Sequence, residues 1–86
     1  MRFEVRHVCR QHRYSLGTDT LTGQRYLSIP VANRLVDYEE YYLLTKSEYH
    51  RLIAEALEAA AFASACRDRR HDDRLILKPG SDRGLP

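Results

Sequence analysis

No stretch of this chain is apolar for long enough to cross a bilayer. A membrane helix needs about 20 apolar residues, and the longest small or apolar run, AAAFASAC at residues 59–66, is interrupted by Ser64. The opening Met1-Arg2-Phe3-Glu4 has no apolar h-region, so no signal peptide is expected and a cytoplasmic location is the default. Catalytic signatures are missing too. There is no Gly-x-Ser-x-Gly elbow, phosphate-binding glycine loop or His-Glu-x-x-His helix, so the expectation is a non-enzymatic protein. An RNA-recognition signature and a Gly-x-x-Gly loop are likewise absent. Lysine is scarce, two residues against twelve arginines. That bias fits guanidinium recognition of phosphate or carboxylate, and fits a GC-rich genome better.

What remains is enough for one domain with a modest core, because a chain near 86 residues buries roughly 60–65% of its unfolded surface. Residues 1–78 read as that domain and residues 79–86 as a flexible tail of turn and disorder formers. Net charge is +2 but unevenly placed. Residues 1–34 carry six arginines against Glu4 and Asp19, and residues 35–60 are acidic before residues 61–86 turn basic again.

The expected fold is α+β: a small, mainly antiparallel sheet of four or five strands packed on one long helix, then a short strand and a loose tail. Residues 2–9 alternate, with Phe3, Val5, His7 and Cys9 on one face, as a half-buried strand does. Residues 13–16, 24–29 and 35–44 read as further strands, with turns around 17–19, 22–23 and 30–33. T-K-S-E at Thr45 is a capping box and starts a helix at Lys46. Its apolar stripe is Tyr49, Leu52, Ile53, Ala56, Leu57, Ala60 and Ala63. Arg67, Arg69, Arg70 and His71 suit the negative end of the helix dipole, and residues 75–77 read as a last strand.

The richest segment is DYEEYY, in which Asp37, Glu39 and Glu40 surround Tyr38, Tyr41 and Tyr42, half of the chain's six tyrosines. Tyrosine gives a large contact area with few rotors to immobilise, and acids steer a basic partner. These six residues are the candidate protein-binding set. In size and surface chemistry alone the chain is similar to bacterial immunity proteins against nuclease toxins, which implies an inhibitor-type role without any residue match. In an extended segment, however, alternation splits the set. Val36, Tyr38, Tyr42 and Leu44 then share a face that packs under the helix, and Asp37, Glu39 and Tyr41 are solvated.

Three further readings compete. Arg2, Arg6, Arg10, Arg13 and Arg25, with Tyr14 and Tyr26, form an alternative nucleic-acid-binding set of guanidinium groups and stacking rings. Cys9, His12, Cys66 and His71 have the count of a zinc site but irregular spacing, so no metal or other cofactor is expected. A Cys9–Cys66 disulfide is disfavoured in a reducing compartment. His7 with Cys9 and Glu39 with Glu40 make weak catalytic pairs. Finally, the surface of residues 59–66, from Ala59 to Cys66, is a candidate homodimer contact, because small side chains let backbones approach. The rival reading of that surface is sheet-facing core.

Overall fold

The computed structural model describes residues 2–32, 37–78 and 83. Four strands come first: β1 (Phe3–Cys9), β2 (Tyr14–Asp19), β3 (Arg25–Ala32) and β4 (Asp37–Leu44). Two helices follow, α1 (Lys46–Ala54) and α2 (Ala56–Arg67), then a 3₁₀ turn at Asp72–Arg74. The strands form an antiparallel meander in the order β1-β2-β3-β4. The fold is mixed α+β. Leu35 and Val36, assigned above to the fourth strand, lie outside the described residues, as does the proposed tail apart from Arg83.

One sheet face meets the helices. Tyr14 and Leu16 of β2, Leu27, Ile29 and Val31 of β3, and Tyr42 and Leu44 of β4 bury there against Leu52, Ala59, Ala63 and Cys66. Register explains the set: Leu16 pairs with Leu27 and Leu27 with Tyr42, so the apolar positions of three strands stand side by side.

The helix begins where the capping box places it. Glu48 N–H donates to Thr45 Oγ1 at 3.1 Å, and Thr45 N–H donates to Glu48 Oε1 at 2.9 Å. It does not run on as one long helix. Glu55 is extended (φ −119°, ψ 90°) and separates α1 from α2, although its N–H still donates to Arg51 O. No glycine or proline marks this point, and the local sequence IAEALEAA has high helix propensity. Packing decides: the break lets α1 bury Leu52 while α2 turns Ala59, Ala63 and Cys66 onto the sheet. Ile53, Ala56 and Leu57, which one continuous stripe would bury, are exposed, Leu57 by 82%. Arg69 closes α2 in the left-handed region at φ 60°, with its N–H donating to Cys66 O.

Four strand expectations change. β1 is an edge strand whose register shifts between Val5 and His7, a bulge at Arg6. Phe3 and Val5 therefore face away from the helices, whereas His7 and Cys9 pair with Leu16 and Tyr14 on the helix side. The strand is not half-buried on one apolar face, since Val5 and Val8 are both about half exposed. β2 runs through Gly17 to Asp19 instead of turning there, because Gly17 is needed for close approach: a Cβ would lie 2.3 Å from Glu4 O. β3 continues through Pro30 to Ala32; the β2 ladder stops at Ser28, so the proline sits where no β2 partner needs its missing donor. The expected last strand is reduced to one bridge from Leu75 to Tyr42, with Ile76 N–H donating to Tyr41 O.

Ion pairs fasten the ends of these elements. Arg74 grips Glu48 with two hydrogen bonds of 2.9 and 2.8 Å and donates to Leu43 O, tying the 3₁₀ turn to the start of α1. Arg2 holds the buried Asp19 through two 3.0 Å bonds. The Arg74 guanidinium pulls the Glu48 pKa down to about 2 from its ordinary 4.5, and Asp19 is lowered by Arg2. A depressed carboxylate contributes stability that is complete above its unfolded pKa and lost as pH falls through the folded one. Stability should therefore decline from about pH 4.5 towards pH 2. Glu48→Gln should cost about 1–2 kcal/mol at neutral pH. In urea titrations across that range the variant and parent should converge near pH 2.

Candidate functional site

The second face of the sheet carries no helix among the described residues. It is built from the alternate positions: Phe3 and Val5 before the bulge in β1, Val8 after it, Tyr26 and Pro30 of β3, and Asp37, Glu39, Tyr41 and Leu43 of β4. Sheets with one solvated face normally place polar residues there. Here the centre is aromatic instead. Phe3 stacks on Tyr41 at 3.7 Å between centroids with planes 10° apart. Tyr26 meets both rings edge-on, at 5.5 and 5.0 Å. Tyr26 is fully buried beneath its partners over the Gly17 backbone, while Phe3 and Tyr41 keep part of their surface open.

Beside this cluster the face dips into a cavity of about 230 Å³ at the hairpin joining β1 to β2, lined by Val8, Cys9, Arg10, Arg13, Tyr14, Ser15, Pro30 and Glu39. Its rim carries opposite charges, Arg10 and Arg13 on the hairpin and Glu39 on β4. The hairpin is pinned from behind, because Arg67 Nη2 donates to both His12 O and Arg13 O. Arg13 is held in the left-handed region at φ 54°. A non-glycine residue rarely adopts this, and such backbone persists where the surroundings impose it. Partial desolvation raises the pKa of Glu39. Burial, then the Glu39 charge, raises Tyr41, so acid and ring share one electrostatic environment.

Strand alternation divides the DYEEYY set as the sequence implied. Asp37, Glu39 and Tyr41 come together on the helix-free face, with both acids exposed. Tyr38, Glu40 and Tyr42 lie on the helix side; Tyr42 is fully buried and Glu40 is 5% exposed. Glu40 cannot act as a steering charge, since it is enclosed and bound to Tyr38, Tyr42 and Arg83. Sequence reasoning missed Phe3, Val8 and Pro30 as members of the same face. The signal for Phe3 was its place on a strand facing opposite tyrosines, obscured by the bulge at Arg6.

The arginine set does not converge on one surface. Arg2 is bound to Asp19 and Arg6 to Glu4, while Arg25 donates to Gly23 O and lies over the Tyr49 ring. Arg10 and Arg13 alone of the five line the cavity. The four metal candidates also stay apart: Cys66 is buried in the core and His71 stacks on Phe62 at 4.3 Å. No group of three or more His, Cys, Asp or Glu side chains is placed to hold a metal ion among the described residues. Both cysteines are free thiols, and burial pushes the Cys66 pKa up to about 12, which leaves it an inert core group. Within the candidate dimer surface, Ala59, Ala63 and Cys66 are fully buried against the sheet, so its inner stripe is core. No helix among the described residues is long and apolar enough to cross a membrane.

No protein-family model, curated protein or solved structure matches the chain.

Proposed function

We propose that this chain is a small, non-enzymatic protein-binding domain that holds a basic partner against the helix-free face of its sheet. Tyr41, backed by Phe3, is the aromatic anchor, and Asp37 and Glu39 attract and orient the partner. The observation that carries the reading is the stacked Phe3–Tyr41 pair on a sheet face that no helix covers among the described residues, next to two exposed acids and a cavity. Aromatic anchors beside pockets dominate binding energy at protein interfaces, while rim charges chiefly set association rate and salt dependence. An inhibitor or immunity-type role belongs to this reading through surface chemistry only.

Affinity capture from host lysate after nuclease treatment tests it, with the parent chain and an Asp37→Asn/Glu39→Gln variant as baits. Both acids are exposed and Glu39 is held at a raised pKa, so the variant should melt within about 2–3 °C of the parent. A discrete basic protein should be retained by the parent and weakened about tenfold or more by the variant. Nucleic acid held equally by both baits would sink the proposal and move function to Arg10 and Arg13.

A further inference from the structure

On the opposite side of β4 the same DYEEYY segment builds a different site. The Glu40 side chain is only 4% exposed, yet it accepts four hydrogen bonds. Tyr42 Oη donates to Oε1 at 2.9 Å and Tyr38 Oη to Oε2 at 3.2 Å. The Arg83 guanidinium supplies the other two, Nε to Oε2 at 2.8 Å and Nη2 to Oε1 at 3.0 Å. Its second edge forks onto Asp72, Nη1 to Oδ2 at 2.8 Å and Nη2 to Oδ1 at 3.0 Å. One planar cation thus bridges two carboxylates through both edges, and is itself 15% exposed.

This geometry selects guanidinium over ammonium. A lysine head is a point charge with three diverging donors and cannot present paired parallel N–H groups to both acids. The carboxylates are set by the folded body, Glu40 by β4 and the two phenols, Asp72 by the 3₁₀ turn. The cation arrives from elsewhere: Arg83 lies 43 residues from Glu40 and 11 from Asp72 in the chain. Cleft and occupant therefore come from different segments of the chain. We infer that Glu40 and Asp72 form an arginine-binding socket, filled in cis by Arg83 and open to exchange with an arginine side chain of another polypeptide. Arg83 belongs to the same chain and so competes intramolecularly, and an incoming arginine needs supporting contacts to displace it. The socket faces away from the aromatic cluster and does not depend on the function proposed for that face.

The test titrates N-acetyl-arginine amide and its lysine counterpart into the parent and into Arg83→Ala, following the ring resonances of Tyr38 and Tyr42 by NMR and the melting temperature. Vacating the socket should give saturable binding of the arginine compound and a rise in melting temperature. The lysine compound should bind at least about tenfold more weakly, for want of the bidentate fork. The parent should bind the arginine compound at least about tenfold more weakly than Arg83→Ala, because its own arginine competes. Adding Glu40→Gln to Arg83→Ala should abolish the response. Should Arg83→Ala not fold, Arg83→Lys keeps a cation beside Glu40 without the double fork, and the same selectivity is expected of it. Equal response to both compounds, equal affinity in parent and variant, or no response from a folded variant would overturn the inference.

Discussion

Ala63→Arg should unfold the protein rather than dissociate a dimer. Ala63 is fully buried between α2 and the sheet, in the same cluster as Leu27, Ile29 and Tyr42. An arginine there has neither space nor a partner for its charge. Overpacking costs about 1–3 kcal/mol, and an uncompensated buried charge adds about 3–5 kcal/mol. Together these costs rival the whole stability of a native domain, about 5–15 kcal/mol. The variant should lose its cooperative melt and its helical circular dichroism. Ala61→Arg, on the exposed side of α2, should keep both. A folded, monomeric Ala63→Arg protein would instead mean that α2 buries this face against a second subunit.

Gly17→Ala should be the most damaging single-methyl change in the sheet. The added Cβ would meet the backbone oxygen of Glu4 at 2.3 Å, and Tyr26 at Oη and Cζ at 2.5 and 2.7 Å. Neither neighbour yields easily: Glu4 is paired in the β1–β2 ladder, and Tyr26 is wedged edge-on against Phe3 and Tyr41. A loss of about 2–3 kcal/mol is expected, or about 10–20 °C in melting temperature for a domain of this size. Tyr26 Oη is buried with no hydrogen-bond partner among the described residues. Tyr26→Phe should therefore stabilise by roughly 1 kcal/mol by removing an unsatisfied polar group. Combined with Gly17→Ala it should recover only part of the loss, since the Glu4 contact remains. A double-mutant cycle measures that coupling. A harmless Gly17→Ala would refute the packing described for the helix-free face.

Features set by local physics were legible in the sequence. The capping box at Thr45 needs only residues three apart, and both of its hydrogen bonds form. The division of DYEEYY follows from strand alternation alone, which is why the sequence separates Asp37, Glu39 and Tyr41 from Tyr38 and Tyr42. The failures come from longer-range causes. The bulge at Arg6 shifts Phe3 and Cys9 to opposite faces, and no glycine or proline announces it. The extended Glu55 interrupts a strongly helical sequence because α1 and α2 bury different stripes on one sheet. Gly17 carried the composition of a turn, yet its missing side chain serves a strand crowded by Tyr26. Glu40 entered the binding set as a steering acid because the arginine that neutralises it, Arg83, lies 43 residues further along the chain.

The central claim is that the helix-free face, with Tyr41 and its two acids, is the surface that meets a partner. Site-specific photo-crosslinking in nuclease-treated host lysate tests it most directly, with the probe placed either at Val8 on that face or at Leu57 on the outer helical surface. Both positions are well exposed, at 54% and 82%. A discrete protein adduct is expected from position 8, lost when Asp37→Asn/Glu39→Gln is introduced, and none from position 57. Adducts from position 57 alone, or an adduct at position 8 indifferent to the two acids, would contradict it.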